Sequence, residues 1–192
     1  MTDWQSRLCT TLEPLLAESD PARTAFAAYR EMPYAIFRYP PEAELDFRRE
    51  LGMLRTRLVQ KGKRVSVISL AEVVCDLIKD DMSIADVAQA ERNSGIEKVI
   101  EQFHSYLSEI KPVAEAVLSR VPADATPQRD VIFITRVGFL FPFYRSSALV
   151  EQLYGRLTIP SVLCFPGARD GPAGLCFMNV FPAEHNYRPR IF

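Results

Sequence analysis

Short apolar runs separated by turn residues recur along the chain. Each is five or six residues long and apolar at most positions, as expected of strands covered on both faces of a parallel sheet. Residues 130–135 are the most strand-like run because they are β-branched and apolar on both faces. The last run is predicted to be the final strand, with an antiparallel edge position as one option. The predicted strands are 34–39, 64–68, 130–135, 161–165 and 175–180.

Between the strands, apolar positions repeat every three or four residues, the period of a helix with one face in the core. The segment 42–60 shows it most clearly, at Phe47, Leu51, Leu54 and Leu58. The order strand, helix, strand forms a right-handed βαβ unit with parallel strands. The pattern therefore predicts an α/β fold of three layers with a mostly parallel sheet of about five strands.

A long helical stretch, 82–122, is predicted as an insertion between the second and third strands. Capping boxes are predicted where Ser69 precedes Glu72 and where Ser94 precedes Glu97, because a serine and a glutamate three residues apart satisfy free amides at a helix start. The helix after Ser94 is predicted to place six apolar residues on one stripe: Ile96, Val99, Ile100, Phe103, Leu107 and Ile110.

The length of 192 residues suits one substantial core and is too short for two, so residues 1–192 are predicted to form a single domain. Two short helices are predicted within residues 1–32, the second beginning at Asp20. The tail, residues 181–192, is predicted to be irregular, aromatic and basic.

The charge balance argues against a general attraction to nucleic acid or anionic membranes, because the formal net charge is −1. The four cysteines are scattered and are predicted to be reduced core residues. Neither a signal peptide nor a run of about 20 apolar residues is visible, which predicts a cytoplasmic protein.

Motifs for catalysis or cofactor binding are missing from the sequence, and no cofactor or metal is predicted. The first strand is followed by two prolines instead of a glycine-rich phosphate loop. His104 and His185 lack the partners of a metal or nucleophile site and are interpreted as structural. The alternative is an enzyme with an unrecognised site, a metal-dependent nuclease or nucleotide hydrolase. It would need carboxylates to converge at strand ends, such as Asp130, Asp170 and Glu42.

A DNA-binding module is the other alternative, through the basic end of the long helix, although a solvated helix end explains those charges better. The residues concerned are Arg55, Arg57, Lys61, Lys63 and Arg64.

A segment rich in aromatic residues, 139–145, follows the third strand. Phe139 and Phe141 are predicted to lie in the core, with Phe143 closing the sheet edge. The functional alternative is an aromatic and arginine surface, a composition favoured at protein interfaces. The candidate partner-binding residues are Phe143, Tyr144, Arg145, Arg169, Tyr187 and Arg188.

Several motifs in order along the chain resemble the BrxB family of BREX bacteriophage-defence loci. They are residues 36–42, 141–147, 165–167, 170–171 and 186–188. The resemblance implies a non-enzymatic component that acts beside a DNA methyltransferase, an ATPase and PglZ, a protein of alkaline-phosphatase type. It implies PglZ as the direct partner, and a P-loop-like sheet that lacks the phosphate loop. We therefore expect an adaptor or scaffold, with the enzyme and the DNA-binding module as alternatives.

Overall fold

A mostly parallel β-sheet lies at the centre of the computed structural model, which describes residues 2–18, 34–171, 174–185 and 187–192. The sheet has six strands, and the path through five of them runs β2-β3-β4-β1-β6, with β5 paired to β4 alone. The strands are β1 (Tyr34–Tyr39), β2 (Arg64–Ser69), β3 (Asp130–Thr135), β4 (Ser161–Asp170), β5 (Gly174–Phe177) and β6 (Arg190–Ile191).

The mostly parallel sheet predicted from the apolar runs is confirmed. Strands β1 and β2 run parallel as expected, but β3 and β4 lie between them, so the first crossover passes over two strands. Every residue of β3 is buried, as its composition predicts for a central strand.

Strand β4 is twice as long as predicted and has two roles. Its first half pairs in parallel with β1 and β3, whereas residues 167–170 pair antiparallel with β5. A side chain at Gly167 would collide with the carbonyl oxygen of Cys176 and the ring of Phe165, so this position needs a glycine. Arg169 and Asp170 therefore lie in β4, beyond residue 165, where this strand was predicted to end.

The tail was predicted to be irregular, and this is wrong for its last residues. Arg190–Ile191 forms a parallel strand beside β1. The amide of Arg38 donates to the carbonyl of Phe192 at 3.1 Å, and the amide of Phe192 donates to the carbonyl of Ile36 at 2.9 Å. Two residues are too few for a strand pattern to be visible in the sequence.

Helices cover both faces of the sheet. One face carries α1 (Asp3–Arg7), α2 (Glu13–Ala17) and α3 (Glu44–Gln60), with a π-helical segment, Leu8–Leu12, between the first two. The opposite face carries α4 (Leu70–Lys79), α7 (Val113–Leu118) and α8 (Ser146–Leu153). Helix α6 (Ile96–Ser105) joins this layer through Tyr106 and Leu107, the residues that follow it. The four apolar positions predicted for α3 are all buried. No helix among the described residues is long and apolar enough to cross a membrane.

The insertion differs from prediction at its capping and at its stripe. Helix α5 (Ile84–Ser94) runs to Ser94, and Gly95, at φ +81°, precedes α6 without a side-chain cap, so the second capping box is wrong. Ile96 and Ile110 are exposed, because Ile96 is the first residue of its helix and a π-helical segment, Tyr106–Ile110, shifts the phase of the far end. The first capping box holds to the extent that the Ser69 side chain accepts from the amide of Glu72. The predicted helix from Asp20 lies outside the described residues.

A buried carboxylate joins the N-terminal helices to α3. Glu13 accepts hydrogen bonds from Arg57 Nε and Lys61 Nζ, both at 2.8 Å. Burial works to raise the pKa of Glu13, but the two cationic donors outweigh it and hold the pKa below its ordinary value. Glu13 therefore stabilises the fold in its ionised form.

Replacing Glu13 by Gln should lower the free energy of unfolding at pH 7 by about 1–2 kcal/mol, since the two cations are partly exposed. A lowered folded-state pKa contributes stability that is present above the unfolded value of 4.5 and is lost as the pH falls through the folded value. The deficit of the variant in urea unfolding should thus shrink below pH 4.5. Glu91→Gln on the exposed α5 is the control, and a deficit that is constant down to pH 3 would contradict this assignment.

Candidate functional site

An open groove lies beside the end of β3 and the β4–β5 hairpin. It encloses about 410 Å³ and is formed by residues 137–146, 175–177 and 181–184, together with Tyr187. The short 3₁₀ helix Val137–Leu140 supplies one wall, and the turn after β5 supplies the opposite wall. Its volume lies in the range of pockets that accept a small ligand or a few side chains.

Three phenylalanines form the apolar part of the groove. The ring centroids of Phe141 and Phe181 are 4.4 Å apart, and Phe177 lies 6.1 Å and 6.3 Å from them. Phe141 is 46% exposed and Phe181 37% exposed, so the rings are packed on one another but not covered. Contiguous exposed aromatic rings of this kind are typical of a protein-interaction surface.

Backbone hydrogen bonds hold the turn that carries Phe177 and Phe181. The amide of Phe181 donates to the carbonyl of Phe177 at 3.3 Å, and the amide of Met178 donates to Pro166 at 2.9 Å. Leu175 and Glu184 exchange two backbone hydrogen bonds, at 3.0 and 3.1 Å. The aromatic wall is therefore fastened to β4 on one side and to β5 on the other.

The polar rim of the groove consists of Arg145 and Glu184. Their closest atoms, Arg145 Nε and Glu184 Oε1, are 3.8 Å apart, and the Arg145 side chain is 78% exposed. Glu184 also accepts from the Tyr187 hydroxyl at 3.2 Å, and that hydroxyl lies 2.8 Å from Ser146 Oγ. Burial raises the pKa of Tyr187 well above its ordinary value. Arg145 thus presents an exposed positive charge at the edge of an aromatic surface.

Three of the six candidate partner-binding residues line this groove: Tyr144, Arg145 and Tyr187. Tyr144 and Tyr187 are buried, so they form its floor. Burial also raises the pKa of Tyr144, whose hydroxyl lies near Gln152 without a hydrogen bond of ordinary geometry among the described residues.

The other three candidates lie outside the groove. Phe143 is half-buried against Phe103, with ring centroids 5.1 Å apart. Arg169 is exposed in β4, where its Nε donates to Gly171 at 2.8 Å. Arg188 is exposed with its guanidinium 5.9 Å from the centre of the Tyr154 ring. The structure therefore does not bring the three candidate arginines together.

Sequence reasoning missed most of the aromatic wall. Phe139 and Phe141 were predicted to be core, and both are exposed because the 3₁₀ turn after β3 directs them away from the sheet. Phe177 was predicted to lie in the final strand, where it is found, but not in a surface site, and Phe181 was predicted to lie in an irregular tail. Phe177 and Phe181 are four residues apart in the sequence. This spacing brings their rings together only because the chain turns between them, and the turn was not predicted from the sequence.

The carboxylates named for the alternative enzyme, Asp130, Asp170 and Glu42, do not all lie at one end of the sheet. Asp130 begins β3, whereas Glu42 follows the end of β1, and parallel strands put these positions at opposite edges of the sheet. Asp130 is instead bound by Arg64. In the part of the chain that the structure describes, no group of three or more His, Cys, Asp or Glu side chains could hold a metal ion.

The basic cluster considered for DNA binding is largely used within the fold. Arg57 and Lys61 bind Glu13, and Arg64 binds Asp124 at 2.8 Å as well as Asp130. The buried Lys63 donates to the carbonyls of Glu18 and Gln128, each at 2.7 Å. The cluster thus offers few cations to an external phosphate backbone.

Comparison with known proteins places these features in a family. The model described as "BREX protein BrxB" matches residues 66–191, a range that includes every residue lining the groove. A protein of Bacillus cereus (strain H3081.97) named "BREX protein BrxB" is 25% identical over 162 residues, covering 82% of this chain and 81% of that protein. No solved structure matches the chain, so the P-loop-like character of the sheet stays a prediction. The family match extends over most of the chain, and the chain therefore belongs to the BrxB family of BREX proteins.

Proposed function

We propose that this chain is a non-catalytic adaptor of a cytoplasmic BREX complex and that it binds PglZ. The observation that supports this proposal is the groove, in which exposed aromatic rings lie beside an exposed arginine. Binding energy at protein interfaces is concentrated in such residues when they are covered by a partner. The DNA methyltransferase and the ATPase are further candidate partners.

The chemistry of the groove favours holding over catalysis. Its apolar wall carries no titratable group, and its polar groups, Glu184, Tyr187 and Ser146, form hydrogen bonds with one another. Arg145 is the group that a partner carboxylate can reach, because its contact with Glu184 is long. The expected partner segment therefore carries an apolar anchor next to an acidic residue.

Replacing Phe141 by Ala should weaken the complex with PglZ about tenfold or more, because an exposed anchor ring is lost while the core is kept. The matched control is Phe139→Ala, which removes a ring of nearly equal exposure, 45%, that does not line the groove. Co-purification followed by sizing and calorimetry of the purified pair measures both. Equal affinity of the two variants would exclude the groove as the docking site.

A charge reversal tests the rim independently. Arg145→Glu should weaken association and make the remaining affinity less sensitive to salt, because an attractive charge becomes repulsive. Arg188→Glu, an exposed arginine outside the groove, is the control. If PglZ does not associate with the unaltered, folded chain, the proposed partner is wrong whatever the variants do.

Substitutions of Tyr144, in the floor of the groove, should change the free energy of unfolding. Tyr144→Phe removes a buried hydroxyl that lacks a good hydrogen bond, so its free energy of unfolding should equal or exceed that of the original chain. Tyr144→Ala should cost about 3–5 kcal/mol, the cost of an emptied aromatic site in a core. Urea unfolding of both variants measures this, and a Phe variant as unstable as the Ala variant would show that the hydroxyl is required.

A further inference from the structure

A second concave site differs from the groove in its chemistry, because two arginines, Arg7 and Arg38, line it. It encloses about 430 Å³ beside the ends of β1 and β4 and shares no residue with the groove. The residues that line it include Asp3, Trp4, Arg7, Arg38, Glu42 and Gly167. We refer to it as the β1–β4 crevice.

The crevice lies where the winding of the chain reverses. The chain leaves the carboxyl end of β1 into α3 on one face of the sheet, whereas the carboxyl end of β4 continues into the hairpin with β5. Because β1 and β4 are neighbours, the crevice lies between these two diverging connections. In open α/β sheets, ligands bind at this topological position.

Arg7 is held firmly in the crevice and has hydrogen-bonding capacity left over. Its Nε donates to Asp3 at 3.0 Å, one terminal nitrogen donates to the carbonyl of Arg38 at 3.4 Å, and its guanidinium carbon lies 5.5 Å from the centre of the Phe37 ring. Its other terminal nitrogen, Nη1, is buried and has no acceptor among the described residues. A buried guanidinium nitrogen without an acceptor is costly. Because the Arg7 side chain keeps 21% of its surface exposed, an anion in the crevice would interact with the charge of its guanidinium group.

Arg38 adds a second cation that the protein leaves poorly compensated. Its pKa is lowered by burial and by the nearby charges of Arg7 and Arg169, and it is raised by Asp3. Burial is the largest of these effects, and the single carboxylate does not restore the pKa of Arg38 to its ordinary value. Arg64, at the other edge of the sheet, shows the contrast, because Asp124 and Asp130 both bind it.

Two carboxylates, Asp3 and Glu42, also line the crevice, but their repulsion of a bound anion is weak. Asp3 is exposed and already engages Arg7 from the solvent side. Glu42 is exposed at the rim, in the short 3₁₀ helix Pro41–Ala43. Exposed carboxylates are screened by water and neutralise a partly buried guanidinium only weakly.

We propose that the β1–β4 crevice binds the phosphate group of a ligand of nucleotide size, with Arg7 and Arg38 as the phosphate-binding residues. A guanidinium group can donate two hydrogen bonds to the oxygens of one phosphate. The two arginines would therefore take the role of the glycine-rich loop, which this chain lacks after β1. The volume of the crevice falls within the range of about 300–1,000 Å³ that is usual for small-molecule sites.

The only tryptophan of the chain, Trp4, lines the crevice and reports on its occupancy. Pyrophosphate, which does not absorb where tryptophan is excited, should change the fluorescence of Trp4 in a saturable manner at constant ionic strength. Calorimetric titration with ATP should also show saturable binding, and pyrophosphate should compete with ATP for the site. Arg38→Gln should weaken both ligands about tenfold or more, the loss expected for a charge-assisted hydrogen bond. Glu42→Gln should tighten binding, because it removes a repelling charge.

Controls separate this site from a general attraction to anions. Arg92→Gln, on the exposed α5, should leave the affinity unchanged, and citrate at equal ionic strength should not compete. A short single-stranded DNA with a 5′-phosphate that competes as well as ATP would identify a nucleic-acid end as the source of the phosphate. The proposal is overturned by absence of saturable binding, by equal affinity in Arg38→Gln, or by full competition from citrate.

Discussion

The divided pairing of β4 is the constraint on which both candidate sites depend. Its first half is held in the centre of the sheet between β1 and β3, and its second half leaves the sheet to pair with β5. The change takes place at Gly167, where the backbone of β5 approaches too closely for any side chain. The turn after β5 is then tied back to Pro166, which sets the aromatic wall of the groove in place. The crevice uses the same passage of chain from the other side, through Gly167 and Ala168.

Charged side chains that stabilise the fold and charged side chains that line the two candidate sites lie at different ends of the strands. At the amino ends of the strands, Arg64 and Asp130 neutralise each other, and Asp124 completes the pairing with its pKa lowered to about 2 by the hydrogen bond from Arg64. Between the N-terminal helices and α3, Glu13 likewise neutralises Arg57 and Lys61. At the carboxyl ends, Arg38 and Arg145 have no carboxylate as close as these among the residues that the structure describes. The uncompensated cations therefore lie where the strand connections form concave surfaces.

The sequence predicted the framework because burial imposes a readable pattern. The runs that became β1, β2 and β3, and the spacing of Phe47, Leu51, Leu54 and Leu58, follow directly from which side chains must be covered. The groove was only partly predictable. The segment 139–145 was identified, but Tyr144 proved to be its floor and Phe141 its exposed wall. Phe181 reaches the site through backbone bonds to Phe177 and through the Leu175–Glu184 bridge, which are long-range or turn interactions without a local pattern.

Amide hydrogen exchange of the chain alone and in complex with PglZ is the measurement that tests the adaptor account most directly. Exchange reports local opening and solvent access along the whole backbone without altering a residue. The account predicts that PglZ slows exchange in 137–146 and 175–187 and leaves α5, on the exposed insertion, unchanged. Protection confined to the insertion, with no change at the groove, would contradict it.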